Sequence, residues 1–119
     1  RGDYLNVATH LVSINDINAA IKKHPNFLSH KTLILSDGKI NLNELKFVRP
    51  VDAVIINEEN PIILHELMKR SASLIISNSQ FSYSAALLSC KKKVLMPKRF
   101  FGDNALNEII FKQPEWEYY

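Results

Sequence analysis

The chain predicts an α/β fold built on a parallel sheet, and three observations carry that prediction. Short apolar runs at residues 32–35, 53–56, 74–76 and 94–96 have the length and character of buried strands. Segments of helical periodicity alternate with them, and helices on the crossovers leave strands parallel. The 119 residues are enough for one domain with a core of its own.

The elements follow in order. Residues 13–24 read as a helix. Ser13 followed by Asp16 resembles a capping box with Asp in the acidic place. Ile14, Ile17, Ala20 and Ile21 make one apolar face, and Pro25 stops the helix. Thr32-Leu33-Ile34-Leu35-Ser36 is a strand, and Asp37-Gly38 turns directly after it. An Asp at a strand's carboxyl end can accept from a base or ribose donor. Asp-Gly is equally a simple turn former.

Residues 45–48 form a weaker strand candidate closed by Pro50, and Ala53-Val54-Ile55-Ile56 a further β run. Asn60-Pro61 opens a helix with Pro at its tolerated first position. Its buried stripe is expected at Ile63, Leu64, Leu67 and Met68, with His65 and Glu66 a solvated pair.

The segment on which the functional reading turns is residues 74–88. Leu74-Ile75-Ile76 is a strand, and Ser77, Asn78 and Ser79 are N-cap formers. Phe81, Ala85 and Leu88 then recur at helical spacing. The turn would join the carboxyl end of a strand to the amino end of a helix, where N–H groups and the helix dipole favour an anion. Ser77, Ser79 and Ser82 add hydroxyl donors. In an open α/β sheet ligands collect at this edge. The pattern fits a phosphate or diphosphate seat, and it also fits an ordinary capped helix.

Val94-Leu95-Met96 is a strand ended by Pro97. Lys98-Arg99 and Phe100-Phe101 follow, and Asp103 caps a last helix through Ile110. The aromatic segment 114–119 is expected to pack against a neighbouring surface.

Composition narrows the classes. A net charge of +3 fits an anionic ligand or a membrane surface, and lacks the clustered basic stripe of a nucleic-acid binder. The one basic run, Lys91-Lys92-Lys93, reads as a solvated loop. Cys90 is the single cysteine, which excludes an internal disulfide or a thiolate metal cluster and points to a reducing compartment. No apolar run approaches the roughly 18 residues of a membrane span, and no signal peptide is present. Glycine-rich phosphate loops, zinc-spaced Cys/His sets and an Asp-x-Asp metal–nucleotide motif are absent. A diphosphate here would be held by Arg, hydroxyls and backbone N–H groups without a metal. The Arg1-Gly2-Asp3 tripeptide is also an adhesion signal, but three residues are too few to be specific.

Several stretches resemble the carboxyl-terminal half of family 11 glycosyltransferases, the α-1,2-fucosyltransferases. Arg1-Gly2-Asp3-Tyr4 looks like the end of that family's His-x-Arg-Arg-Gly-Asp-Tyr motif, and Leu35-Ser36-Asp37 is similar to its Phe-Ser-Asp segment. Residues 74–82 resemble its Ile-Ile-Ala/Ser-Asn-Ser-x-Phe-Ser motif. Residues 96–101 resemble its Ala-Pro-Lys-Lys-Trp-Phe segment, and Pro114-Glu115-Trp116 a Pro-x-Trp near its end.

The resemblance implies a Rossmann-like domain, the second half of a two-domain GT-B enzyme, with residues 1–119 as a single donor-binding domain and a fragment of a longer protein. It implies GDP-fucose as donor substrate, no cofactor or metal, and inverting transfer to a galactoside 2-hydroxyl. Arg1 would be catalytic and, with Asp3, bind phosphate; Asp37 would sit near the guanosine. Ser77, Asn78, Ser79, Phe81 and Ser82 would line the diphosphate and sugar. A glycan acceptor would be held by the missing amino-terminal half, and the fragment alone would be inactive. The expected location is the cytoplasm, with peripheral membrane association left open.

The chain departs from the family where Trp-Trp-Gly usually follows Phe-Ser: Tyr83-Ser84-Ala85 stands there, with Tyr83 a candidate aromatic wall. Two alternatives therefore stay open, a transferase using another nucleotide sugar and a non-catalytic nucleotide-binding α/β module. A flavodoxin- or receiver-like domain, suggested by residues 35–38, would need an acidic cluster at neighbouring strand ends that the sequence lacks.

Overall fold

Ser13 starts the first helix by the mechanism its sequence announces. Its side-chain oxygen accepts from the Asp16 N–H at 3.1 Å, and Asp16 Oδ2 accepts from the Ser13 N–H at 3.0 Å, so both halves of the capping box are made. The computed structural model describes residues 12–28, 31–36, 38–46, 52–90, 93–110 and 112–119. In it helix α1 spans Ile14–Lys23, is closed by His24, and is followed by a 3₁₀ turn, Pro25–Leu28.

Ala20 and Ile21 turn α1 inward. The buried Asn18 is satisfied: its amide donates to the Glu44 carbonyl at 2.7 Å, and its Oδ1 accepts from the Lys46 N–H at 3.1 Å. That pair fastens α1 to a second 3₁₀ turn, Leu42–Glu44. Leu45, weighed as the start of a strand, is instead the buried residue closing this turn.

Strand β1 (Thr32–Leu35) pairs in parallel with β2 (Ala53–Ile56), Thr32 opposite Ala53 and Leu35 opposite Ile56. Strands β3 (Ser73–Ile75), β4 (Lys93–Met96) and β5 (Glu117–Tyr118) form a second parallel sheet in that order. Helices α2 (Pro61–Arg70), α3 (Gln80–Leu87) and α4 (Asn104–Ile109) lie on the connections. The fold is thus α/β with short parallel sheets flanked by helices. The single sheet expected from the alternation is two hydrogen-bonded sheets among the described residues. Side-chain packing joins them, since Ile34, Ala53 and Ile75 all pack against the buried pair Ile21 and Leu45, and Leu35 packs against the cluster holding Ile76.

β4 is the centre of the fold, and Val94, Leu95 and Met96 are at most 1% exposed. Around it pack Met68, Leu74, Ile76, Tyr83, Ala85, Ala86, Phe100 and Trp116. The aromatic segment at the end does not merely lie on a neighbouring surface. Trp116 enters this core edge-on to Tyr83, and the residues after it add β5 to the sheet. Leu95↔Glu117 and Met96↔Tyr118 set the register.

Two helical faces differ from their expected phase. On α2 Met68 is buried, Leu64 and Leu67 are half-buried, and Ile63 faces solvent. On α3 the buried residues are Tyr83, Ala85 and Ala86, whereas Phe81 and Leu88 are exposed. The phase of α3 is set by what it must cover: Tyr83 packs on Phe100 and Trp116, aromatic surface contributed by residues after β4. Among the described residues no helix is long and apolar enough to cross a membrane.

Candidate functional site

Ile76 leaves β3 still on the sheet ladder, its N–H donating to the Leu95 carbonyl at 3.0 Å. Ser77, Asn78 and Ser79 follow as the turn, half-buried, and α3 begins at Gln80. The predicted strand–turn–helix is therefore present, and it brings Ser77, Asn78, Ser79, Phe81 and Ser82 together at the carboxyl edge of the three-stranded sheet. Arg1, Asp3 and Asp37 lie outside the described residues.

Ser79 is the N-cap residue, with extended backbone at φ −106° and ψ 126°, and its side chain makes no capping hydrogen bond. The other described α-helices differ. Ser13, Asn60 and Asp103 each accept a first-turn N–H through the side chain, from Asp16, Ile62 and Ala105 respectively. The first N–H groups of any helix have no intrahelical acceptor. At α3 the cap side chain leaves those N–H groups to other acceptors, a disposition suited to an anionic oxygen.

The hydroxyls are not equivalent. Ser82 Oγ donates to the Ser79 carbonyl at 3.0 Å, so its proton belongs to the helix. Ser77 and Ser79 stand in the turn itself. Phe81 presents its ring at the surface, 39% exposed, and meets the His65 ring edge-on at 5.3 Å.

His65 is not the solvated partner of Glu66. Glu66 pairs with Lys69 and, at 3.6 Å, with Arg70, and the Lys69 hydrogen bond holds its carboxyl below the usual range. His65 instead crosses to α3, its Nε2 3.1 Å from Ser84 Oγ. Ser84 directs its single proton to the Phe81 carbonyl at 2.9 Å, so the imidazole must be the donor in this contact. Tyr83, the candidate aromatic wall, is 9% exposed in the core, and burial raises its phenol above the ordinary 10.0.

After β1, in the two-stranded sheet, Ser36 Oγ accepts from the Gly38 N–H at 3.1 Å. β4 is the hydrogen-bonded neighbour of β3, so the loop after Met96 leaves the sheet beside the Ser77 turn. Its Lys98 and Arg99 are exposed cations, and Arg99 donates to the Gly102 carbonyl at 2.9 Å. Asn107 folds this loop back: its Oδ1 accepts from Phe100 and Phe101 N–H at 2.6 and 2.7 Å, and its amide donates to the Phe101 and Asp103 carbonyls. The sequence shows Lys98 and Arg99 directly after a strand, but not that this strand lies beside β3.

Among the described residues no group of three or more His, Cys, Asp or Glu side chains is placed to hold a metal ion. No protein-family model, curated protein or solved structure matches the chain.

Proposed function

We propose that the chain is the donor-binding half of an inverting glycosyltransferase that works without a metal, and that the turn from Ser77 to Ser79 receives the diphosphate of a nucleotide sugar. The observation that carries this reading is the amino end of α3. It stands at the carboxyl edge of a parallel sheet, its cap side chain makes no capping bond, and the turn bears two hydroxyls. The exposed Lys98 and Arg99, on the loop after the adjacent strand, give the edge the matching charge.

The chemistry asked of such a seat is electrostatic. The departing nucleoside diphosphate gains negative charge in the transition state. N–H groups and cations already aimed there stabilise that charge without reorganising, worth several kcal/mol when water is excluded. Phe81, exposed beside the seat, is the apolar surface a sugar face would meet.

The motif resemblance supports GDP-fucose as donor and a galactoside 2-hydroxyl as acceptor site, with Arg1 and Asp3 on the phosphates and Asp37 near the guanosine. The burial of Tyr83 favours a second reading, a transferase with a different sugar, because the aromatic wall that residue was expected to form is turned into the core.

The test is a titration of the chain with GDP, UDP and ADP followed by backbone amide NMR. Movement of the Ser77, Asn78, Ser79 and Asp37 amides with GDP, exceeding that with UDP or ADP, supports the first reading. A preference for UDP or ADP at the same amides supports the second. A flat response to all three nucleotides, in this chain and in any longer form carrying the amino-terminal half, overturns both.

A further inference from the structure

Tyr119, the residue after β5, makes three hydrogen bonds that converge on the two loops flanking the candidate seat. Its hydroxyl donates to the Ile76 carbonyl at 2.9 Å. Its carbonyl accepts from the Lys98 N–H at 2.7 Å, and its N–H donates to the Met96 carbonyl at 3.0 Å. Ile76 immediately precedes the Ser77 turn, and Lys98 immediately precedes Arg99. The tyrosine ring lies against Ala20, Phe27 and Leu95, where α1 and β4 fix its direction.

From this geometry we infer that Tyr119 is a positioning residue for the ligand loops, setting the turn after β3 and the loop after β4 in one fixed relation. The inference rests on the seat proposed above. The Ile76 backbone is held at both its groups, the N–H by the Leu95 carbonyl and the carbonyl by the Tyr119 hydroxyl. A carbonyl held in direction fixes the peptide plane that follows, and that plane is the N–H of Ser77. Tyr119 reaches no ligand itself. It acts through Ile76 and Lys98. Burial, with a smaller contribution from the Asp16 charge, pushes its phenol up, so the hydroxyl stays a proton donor across the neutral range.

Tyr119→Phe removes the hydroxyl and keeps the ring in its packing. Tyr118→Phe is the matched control, because the Tyr118 hydroxyl donates to Gln113 within its own segment at 2.9 Å. Each full-length variant is compared with the unaltered chain in two ways: the Ile76 carbonyl and Ser77 and Lys98 amide shifts without ligand, and the GDP dissociation constant.

The expected result is that Tyr119→Phe moves the Ile76 and Ser77 resonances and weakens GDP about 3- to 10-fold, the worth of one hydrogen bond, while Tyr118→Phe does neither. Unmoved resonances, or equal weakening by both variants, overturn the inference. If the unaltered chain binds no GDP, the ligand-free shifts alone uphold or overturn the tie between the loops, and the seat reading is judged separately by the three-nucleotide titration. Should Tyr119→Phe not fold, the hydroxyl proton of the unaltered chain decides: slow exchange with a cross-peak to the Ser77 amide upholds the tie, and rapid exchange overturns it.

Discussion

His65 on α2 and Ser84 on α3 are joined by a hydrogen bond of 3.1 Å in which the imidazole Nε2 donates. Ser84→Ala removes the acceptor and is expected to lower stability by about 0.5–1.5 kcal/mol. His65→Ala also removes the edge contact with Phe81 and should cost more. Urea denaturation of both variants checks the order, and an equal cost would mean the ring contact contributes nothing.

The phase of α3 gives a sharper test. Tyr83 is buried against Phe100 and Trp116, whereas Phe81 is 39% exposed. Tyr83→Ala is expected to destabilise by about 3–5 kcal/mol, a large part of a small domain's stability. Phe81→Ala should cost about 1 kcal/mol or less. Chemical denaturation reads both, and the reverse ranking would return α3 to the phase its apolar spacing suggests.

Tyr83, Tyr118 and Tyr119 all have phenols raised above the ordinary 10.0, in each case first by burial. A phenol that ionises later in the folded than in the unfolded chain stabilises the fold fully below its unfolded value. That stability is lost as the pH climbs from there through the folded value. The protein is therefore expected to hold its stability up to about pH 10 and to lose it above. Tyr119→Phe should flatten that alkaline loss, which denaturation midpoints at about pH 8 and about pH 11 would reveal. An unchanged slope would place the phenol's ionisation outside the folding equilibrium.

Local signals carried much of the fold. The Ser13–Asp16 capping box, the Asn60-Pro61 helix start and the Asp103 cap all depend on atoms within a few residues of each other, and each forms as its sequence indicates. The apolar runs at residues 32–35, 53–56 and 94–96 are strands, as short runs of β-branched and aliphatic side chains predict. The strand–turn–helix around Ser77 was legible for the same reason.

What the sequence by itself determined is thus the helices α1 to α4 and strands β1 to β4, their α/β order, and the polar turn at the carboxyl edge of β3. Tertiary structure alone decided which strands are neighbours and which helix faces turn inward. Division into two sheets, Tyr83 rather than Phe81 in the core, and β5 formed by the aromatic segment all depend on partners far along the chain. So does the tie from Tyr119 to Ile76, 43 residues away. Caps and turns are closed by short-range hydrogen bonds that the local sequence specifies. Packing is a competition for shared buried volume, and a residue's place in it depends on every other side chain that enters the same core.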